Sequence, residues 1–498
     1  MTKKQILGIT ALILSLLIAV SVFAGCNAGA PETAAPNAPE AESAETKTDS
    51  TETVAVDDEE ALFYTDYLAA EQEAFETLFP VSVGIKDKEL DEKAIANSVN
   101  IASYNGTAFK VFNKDMGNGS YMNVAENTTT QQFSKFLAGL LESGAGYYTS
   151  NKIGANFFVT MVTKTQIINA MFYKATREVR VVVDDRAKFD LPGLASENVY
   201  ARLGRASLTM VAIEETGWPG GMGFVYELSD GSFIIIDGGY SNRNETTGKT
   251  TKSSANWLTK TLKKLAKDPE NITIAAWVIT HPHEDHYGAF IEMAESAECL
   301  EDIKIEMVIY NNPAAEYLAS TKTTIAAQWI DAAIVKWNPD KIVKSHPGQV
   351  FHLRDAVITV YGSPDIVVPQ DVEITNVNNL NTVTMVDYHG KRGLYLGDAQ
   401  EIQNPIMSEL YNKEFKADIL QLAHHGYGNT AAKDVYRYAD PSIVLWPVGT
   451  RDYPGCANVG FNRPFFADGI DNHVALRENL TIRNFNTWEA EPRWDPTK

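Results

Sequence analysis

The chain has 498 residues, 44% of them hydrophobic and 21% charged. That composition supplies core material for two or three globular domains and excludes a wholly disordered or fibrous chain. A formal net charge of −21, with no basic run anywhere, disfavours long nucleic acid as a partner.

The first 25 residues read as an export signal. Lys3 and Lys4 form a positive start, Ile6 to Phe23 is almost wholly apolar, and small residues follow. Phe23-Ala24-Gly25-Cys26 resembles a bacterial lipobox. The resemblance implies cleavage before Cys26, a diacylglycerol on its thiol, and a chain held on the extracytoplasmic face of the cell membrane. Residues 26–57 are rich in Ala, Pro, Glu, Thr and Ser, and bury too little apolar surface to offset ordering entropy. They read as a tether. Past Cys26 only Cys299 and Cys456 remain, which is no disulfide framework.

Residues 58–200 read as a smaller α+β accessory domain. Apolar groups at helical spacing run from 58 to 78, ahead of Pro80. SVNIAS (98–103) and AFKVFN (108–113) are strand candidates, and a helix is expected at Thr130–Leu141. Two apolar runs, 155–164 and 165–185, read as strands, the second broken into a hairpin at Lys174-Ala175-Thr176. No catalytic constellation falls in this part.

The pattern changes near 206. Strands separated by Gly-rich and Asp-Gly turns lead to Asp237-Gly238-Gly239, and a helix is expected at Asn256–Leu265. The run 272–280 is short and β-branched, as in a strand buried on both faces. His281, His283, Glu284, Asp285 and His286 follow it within six positions, ahead of a helical stretch at 287–298. A loop between a strand end and a helix lets His281 and His283 face one point and Asp285 and His286 a second. Imidazole nitrogens and carboxylate oxygens are the donors zinc accepts. A dinuclear site, with metals roughly 3.5–4 Å apart, needs more ligands than one loop carries. Asp398 in GLYLGDAQ and His424 and His425 in DILQLAHHGYGN each follow an apolar strand. These two histidine clusters hold five of the nine histidines in the chain.

His281-Pro-His283-Glu-Asp285-His286, Leu-Gly-Asp398 and Ala-His424-His425-Gly, in that order, resemble the metallo-β-lactamase superfamily. The resemblance covers about residues 206–490 and implies an αββα sandwich with the metals at one sheet edge. The stretch 378–398 and the His-His-Gly signature look like the branch of competence DNA-uptake channel domains and choline-phosphate esterases, where a third histidine on the first metal is typically absent. His346, His352 and His389 accordingly fall outside the expected site. The implied first metal takes His281, His283 and Asp398. The second takes Asp285, His286, Asp398 and one of the histidine pair, with His424 favoured because it comes first after the strand and the other expected to orient a ligand or contact the substrate. The cofactors implied are two Zn2+, with Mn2+ or Fe as alternatives.

Zinc lowers the pKa of a coordinated water to near 7. A hydroxide between the metals would be the nucleophile, and Asp285 would orient it. Glu284 reads as a solvated or helix-capping acid. Relatives in the branch usually carry Tyr-Gly-His-Pro near the C-terminus, where this chain has Tyr453-Pro-Gly-Cys456. Tyr453 remains a candidate donor to a leaving oxygen, and His473 reads as structural. The expectation is a lipid-anchored, zinc-dependent hydrolase of small-molecule or cell-surface esters, phosphodiesters first. A non-catalytic binding module on the same fold and a lactone or β-lactam hydrolase are the alternatives.

Overall fold

The computed structural model describes residues 93–101, 110–194, 206–211, 221–370, 372–449, 451–474 and 480–483. All lie in one compact unit, Tyr64–Lys498. The export signal, Cys26, the tether and the helix expected at 58–78 lie outside them. Among the described residues no helix is long and apolar enough to cross a membrane.

Two mixed sheets stack face to face. The first has eight strands, with Phe233–Asp237 and Ile272–Val278 adjacent and parallel at its centre. The second has seven, and Lys391–Tyr395, Ile419–Gln421 and Ile443–Trp446 run parallel in succession. The period-2 alternation of strand side chains decides which layer each residue enters. In Phe233–Asp237, Phe233 and Ile235 pack under Trp257, Leu258, Phe290 and Trp337 from the helices outside the first sheet. Ile234 and Ile236 point the other way, into the core shared with Ile358, Val386, Tyr388 and Leu445 of the second sheet. Helices Gln403–Tyr411 and Lys433–Ala439 cover the second sheet from outside. This is the αββα sandwich that the motifs implied.

The accessory part has its own six-stranded antiparallel sheet, running in space from Lys110–Asp115 through Tyr121–Ala125, Glu178–Asp185, Gln166–Tyr173 and Asn156–Val162 to Gly146–Ile153. The hairpin predicted around Lys174 is present. The first strand candidate is not a strand over its described residues, 98–101. Helix Thr130–Glu142 packs on one face of this sheet with a capping box at Thr129. The other face is not free. Met122, Phe158, Met171 and Tyr173 share a core with Ile366, Met407, Tyr411 and Phe415 of the sandwich. The unit read as a separate domain is therefore a third sheet fused to one side of the sandwich.

Polar groups cross the same junction. Buried His346 sits between two carboxylates, Nε2 2.8 Å from Asp184 Oδ2 of the accessory sheet and Nδ1 against Asp365 Oδ2. Arg180 donates to the carbonyls of Asp365 and Ile366, and Lys344 to those of Met116 and Gly117. His346 thus falls outside the metal loops, as expected, and holds the junction. His352 is exposed on a strand, and His389 pairs with Asp355 at 2.7 Å in a hairpin turn. Cys299 and Cys456 are buried free thiols.

Candidate metal centre

Strands running parallel end on the same edge, so the loops that follow them meet there. Asp237 ends its strand, and the metal loop follows the neighbouring strand Ile272–Val278. Asp398 follows Lys391–Tyr395, and the histidine pair follows Ile419–Gln421, again parallel neighbours. The Asp398 loop is tied to the next strand by Gln421, whose Oε1 accepts from the amides of Leu396 and Gly397. Gly397 has φ +53, and a Cβ there would lie 2.6 Å from Asn381 Oδ1. The Leu-Gly-Asp signature thus reflects a tight turn that only glycine makes without strain.

The metal loop differs from its sequence reading in one respect. Helix begins at Glu284, with His283 as N-cap, so Asp285 and His286 lie in its first turn. Two acids at a helix N-terminus are favoured by the helix dipole, which accounts for the early start. Glu284 is exposed there, as expected of a solvated, helix-starting acid.

Hydrogen bonds fix the rings. Asp237 Oδ2 accepts from His286 Nδ1 at 2.8 Å, which leaves the lone pair on Nε2. The Thr280 hydroxyl lies 2.9 and 3.0 Å from the two Asp237 oxygens and donates to that carboxylate. It therefore accepts from His281 Nδ1 at 3.0 Å, again leaving Nε2 free. His425 Nδ1 donates to the Pro447 carbonyl at 2.7 Å, with the same result. This is how metal-ligating imidazoles are held.

The freed atoms converge in two groups: His281, His283 and Asp398, and Asp285, His286 and His425. Within each, ligand atoms lie within 4.8 Å of one another. Asp398 stands between the groups, Oδ1 3.2 Å from His286 Nε2 and Oδ2 3.9 Å from His281 Nε2. His425 Nε2 is 3.2 Å from Asp285 Oδ2 and 3.5 Å from Asp398 Oδ1. His281 Nε2, His286 Nε2, His425 Nε2 and Asp398 Oδ1 are all buried without a hydrogen-bond partner. An orphaned buried polar atom costs about 1–3 kcal/mol. Four orphans aimed at one volume fit a place built for cations, and nitrogen with carboxylate oxygen is a transition-metal donor set.

A family model described as the metallo-beta-lactamase superfamily matches residues 218–364, which contain the metal loop. Over those residues the chain is similar to the metallo-beta-lactamase superfamily. Among solved structures it is similar to the metallo-β-lactamase fold protein YhfI from Bacillus subtilis, at 12% identity over 54% of this chain and 96% of that one, with a TM-score of 0.30. A diphosphatase from the PhnP family is similar at 12% identity over 54% and 95%, TM-score 0.31. CmlA, a diiron β-hydroxylase from Streptomyces venezuelae, is similar at 12% identity over 49% of this chain and 45% of its own, TM-score 0.29, so this chain spans under half of that protein's length. No curated protein matches the chain.

Charges in this metallo-β-lactamase-fold centre follow from burial and neighbours. Burial holds the His281 and His283 imidazoles below their ordinary range. Burial would also lower His286, but Asp398, Asp237 and Asp285 outweigh it and raise it well above that range, so a cation taking Nε2 would displace a proton from it. Burial would raise Asp285 and Asp398, yet His286 and His425 hold both carboxyls low, and both stay ionised.

Two sequence readings need correction. His424 was favoured over His425, but His425 is the one grouped with Asp285 and His286. Both residues have positive φ, +46 and +58, and this left-handed pair swings the first ring outward and the second inward. His424 Nε2 stays 3.8 Å from Asp398 Oδ2 and opens on the cleft. Tyr453, the candidate donor, packs edge-on against Trp446 and is not among the cleft-lining residues. The tyrosine beside the pair is Tyr427, 5.1 Å from the His424 ring and donating to Asp452. Reading along the chain also missed Thr280 and Gln400, and took Asp237 only as a turn. A single-residue hydroxyl or amide carries no spacing signal.

Against the centre lies a cleft of about 390 Å³, whose lining includes His283, Asp285, Asp398 and His424 together with Arg243, Lys322 and Trp329. That is the size of a small-molecule pocket. The Arg243 guanidinium lies 5.4 Å over the Trp329 ring and pairs with Glu292 and Glu295. Lys322 is exposed at the mouth.

Proposed function

We propose that the chain is a metal-dependent hydrolase with a dinuclear centre, zinc first, acting on small ester substrates, phosphodiesters foremost. The observation that carries this reading is the set of four orphaned buried donor atoms facing one another beside a small-molecule cleft. His281, His283 and Asp398 would hold one ion, and Asp285, His286 and His425 the other, with Asp398 shared. A metal pair bound there supplies Lewis acidity and makes water a nucleophile at neutral pH. The chain's own part is to hold three imidazoles in the ligand tautomer, keep Asp285 and Asp398 ionised, and present a cation, Lys322, at the mouth to an anionic ester. Acidic overall charge favours small or surface-linked esters over long polyanions.

The test is elemental analysis followed by a chromogenic panel of phosphodiester, phosphomonoester, lactone and β-lactam. Two metal equivalents with phosphodiester turnover are expected. Two equivalents with no turnover on any panel member would favour the binding-module alternative, and turnover confined to lactone or β-lactam would replace the substrate class. The same proposal places the enzyme on the membrane through a lipid on Cys26. Cys26→Ser would then release unlipidated protein or stall its processing, and a mature acylated variant in the membrane fraction would overturn the anchor.

A further inference from the structure

Adjacent histidines here make different contacts at Nδ1: His425 meets the Pro447 carbonyl, and His424 meets the side-chain amides of Gln400 and Asn429. The chain of contacts behind His424 starts at a group with no ambiguity, the backbone amide of Asn378. It donates to Asn376 Oδ1 at 3.0 Å, so the other end of that side chain is its NH2. Asn376 Nδ2 donates to Gln400 Oε1 at 2.9 Å, which fixes Gln400 in turn. Gln400 Nε2 then donates to His424 Nδ1 at 2.9 Å. A ring nitrogen that accepts carries no proton, so the neutral imidazole holds its proton on Nε2. The Asn429 amide also stands 2.9 Å from His424 Nδ1, and with its oxygen toward the ring it would call for the reverse. Asn429 is exposed, and a half-turn of its amide presents NH2 instead. Gln400 is buried and tied by Asn376, so its orientation prevails.

An Nε2 that carries a proton cannot ligate a metal. It can donate. His424 Nε2 points into the cleft, 3.8 Å from Asp398 Oδ2, close to the metal-facing carboxylate but outside hydrogen-bond range. The backbone supports this with two successive non-glycine residues in the left-handed region, each a sparsely populated conformation that persists where the surroundings impose it.

We propose that His424 is a substrate-binding residue: an Nε2–H donor to an anionic oxygen of the substrate, with Gln400 and Asn376 as positioning residues that set its tautomer. This rests on the hydrolase reading for what the anion is, but the tautomer and the non-ligand role stand without it.

The experiment uses the full metal-loaded chain labelled with 15N-histidine. Long-range 15N–1H spectra assign the His424 ring by its loss in His424→Ala. Protonated Nε2 is expected, with a shift on adding inorganic phosphate. His424→Ala should keep the metal content of the unaltered chain and bind phosphate about 10-fold more weakly, the scale of one charge-assisted hydrogen bond. In Gln400→Glu the new carboxylate should place a proton on Nδ1, read in the same spectra, again at full metal content. A proton on Nδ1 in the unaltered chain, or loss of one metal equivalent in His424→Ala, would overturn the proposal. If no panel ester is turned over while these readings hold, the hydrolase reading fails and this one stands.

Discussion

Asp237 Oδ2 accepts the Nδ1 proton of His286 at 2.8 Å, and through Thr280 the same carboxylate orients His281. One acid at a strand end thus sets two ring tautomers in the metal loop. Asp237→Asn keeps a side chain that tolerates the observed φ of +57 and removes only the charge and one acceptor. Metal affinity should fall about 10–100-fold, as for other groups that orient ligands. Competition with a chromogenic chelator reads it. Unchanged affinity would mean that the rings are held by packing alone.

Asp398 is placed to serve both donor groups, so its loss should not be local. Asp398→Ala should lose most of both metal equivalents and nearly all turnover while keeping its circular dichroism. Retention of two equivalents would remove Asp398 from its shared position. His425→Ala should lose mainly one.

The metal loop, Asp398 and the histidine pair were legible because each is a cluster of rare donors placed after an apolar run, and strand ends are readable from period and length. The sandwich followed from the same alternation. Which of His424 and His425 turns inward was not legible, since it depends on two successive residues in the left-handed region, which non-glycine residues seldom occupy. Nor was the fused third sheet. Met122, Phe158 and Tyr173 alternate like any strand with one buried face, and nothing along the chain says that the opposing face belongs to the sandwich.

Gly288 tests how tightly the loop is seated without touching a ligand. A Cβ there would stand 2.3 Å from the Ser241 amide nitrogen and the Tyr240 carbonyl carbon, both backbone atoms. Gly288→Ala must therefore push the helix carrying Asp285 and His286 away from the Asp237 turn. A loss of about 1–3 kcal/mol in the denaturant midpoint analysis is expected from overpacking, together with weaker metal binding. A variant with native stability and full metal content would show that the turn yields at no cost.

The junction predicts a stability that falls in mild alkali. Burial would lower His346, but Asp184 and Asp365 outweigh it and raise it to about 9, against an ordinary value of 6.5. The groups facing it are Asp184 on the accessory sheet and Asp365 on the short helix Pro364–Val367, with Lys344 nearby on its own strand. A group whose folded pKa is raised contributes fully below its unfolded pKa and loses that contribution as pH rises through the folded one. Stability from the His346 charge is therefore complete below about pH 6.5 and declines toward pH 9. Asp184, held below its ordinary value chiefly by His346 against the effect of burial, stays ionised throughout that window. The measurement is the urea midpoint of the metal-loaded chain at steps from pH 6 to pH 9.5, beside His346→Gln. The unaltered chain should lose stability across the window. The variant should start lower, because it leaves two buried carboxylates without their cation, and should lack the slope that His346 contributes. Parallel pH profiles in the two proteins would show that the slope has another source.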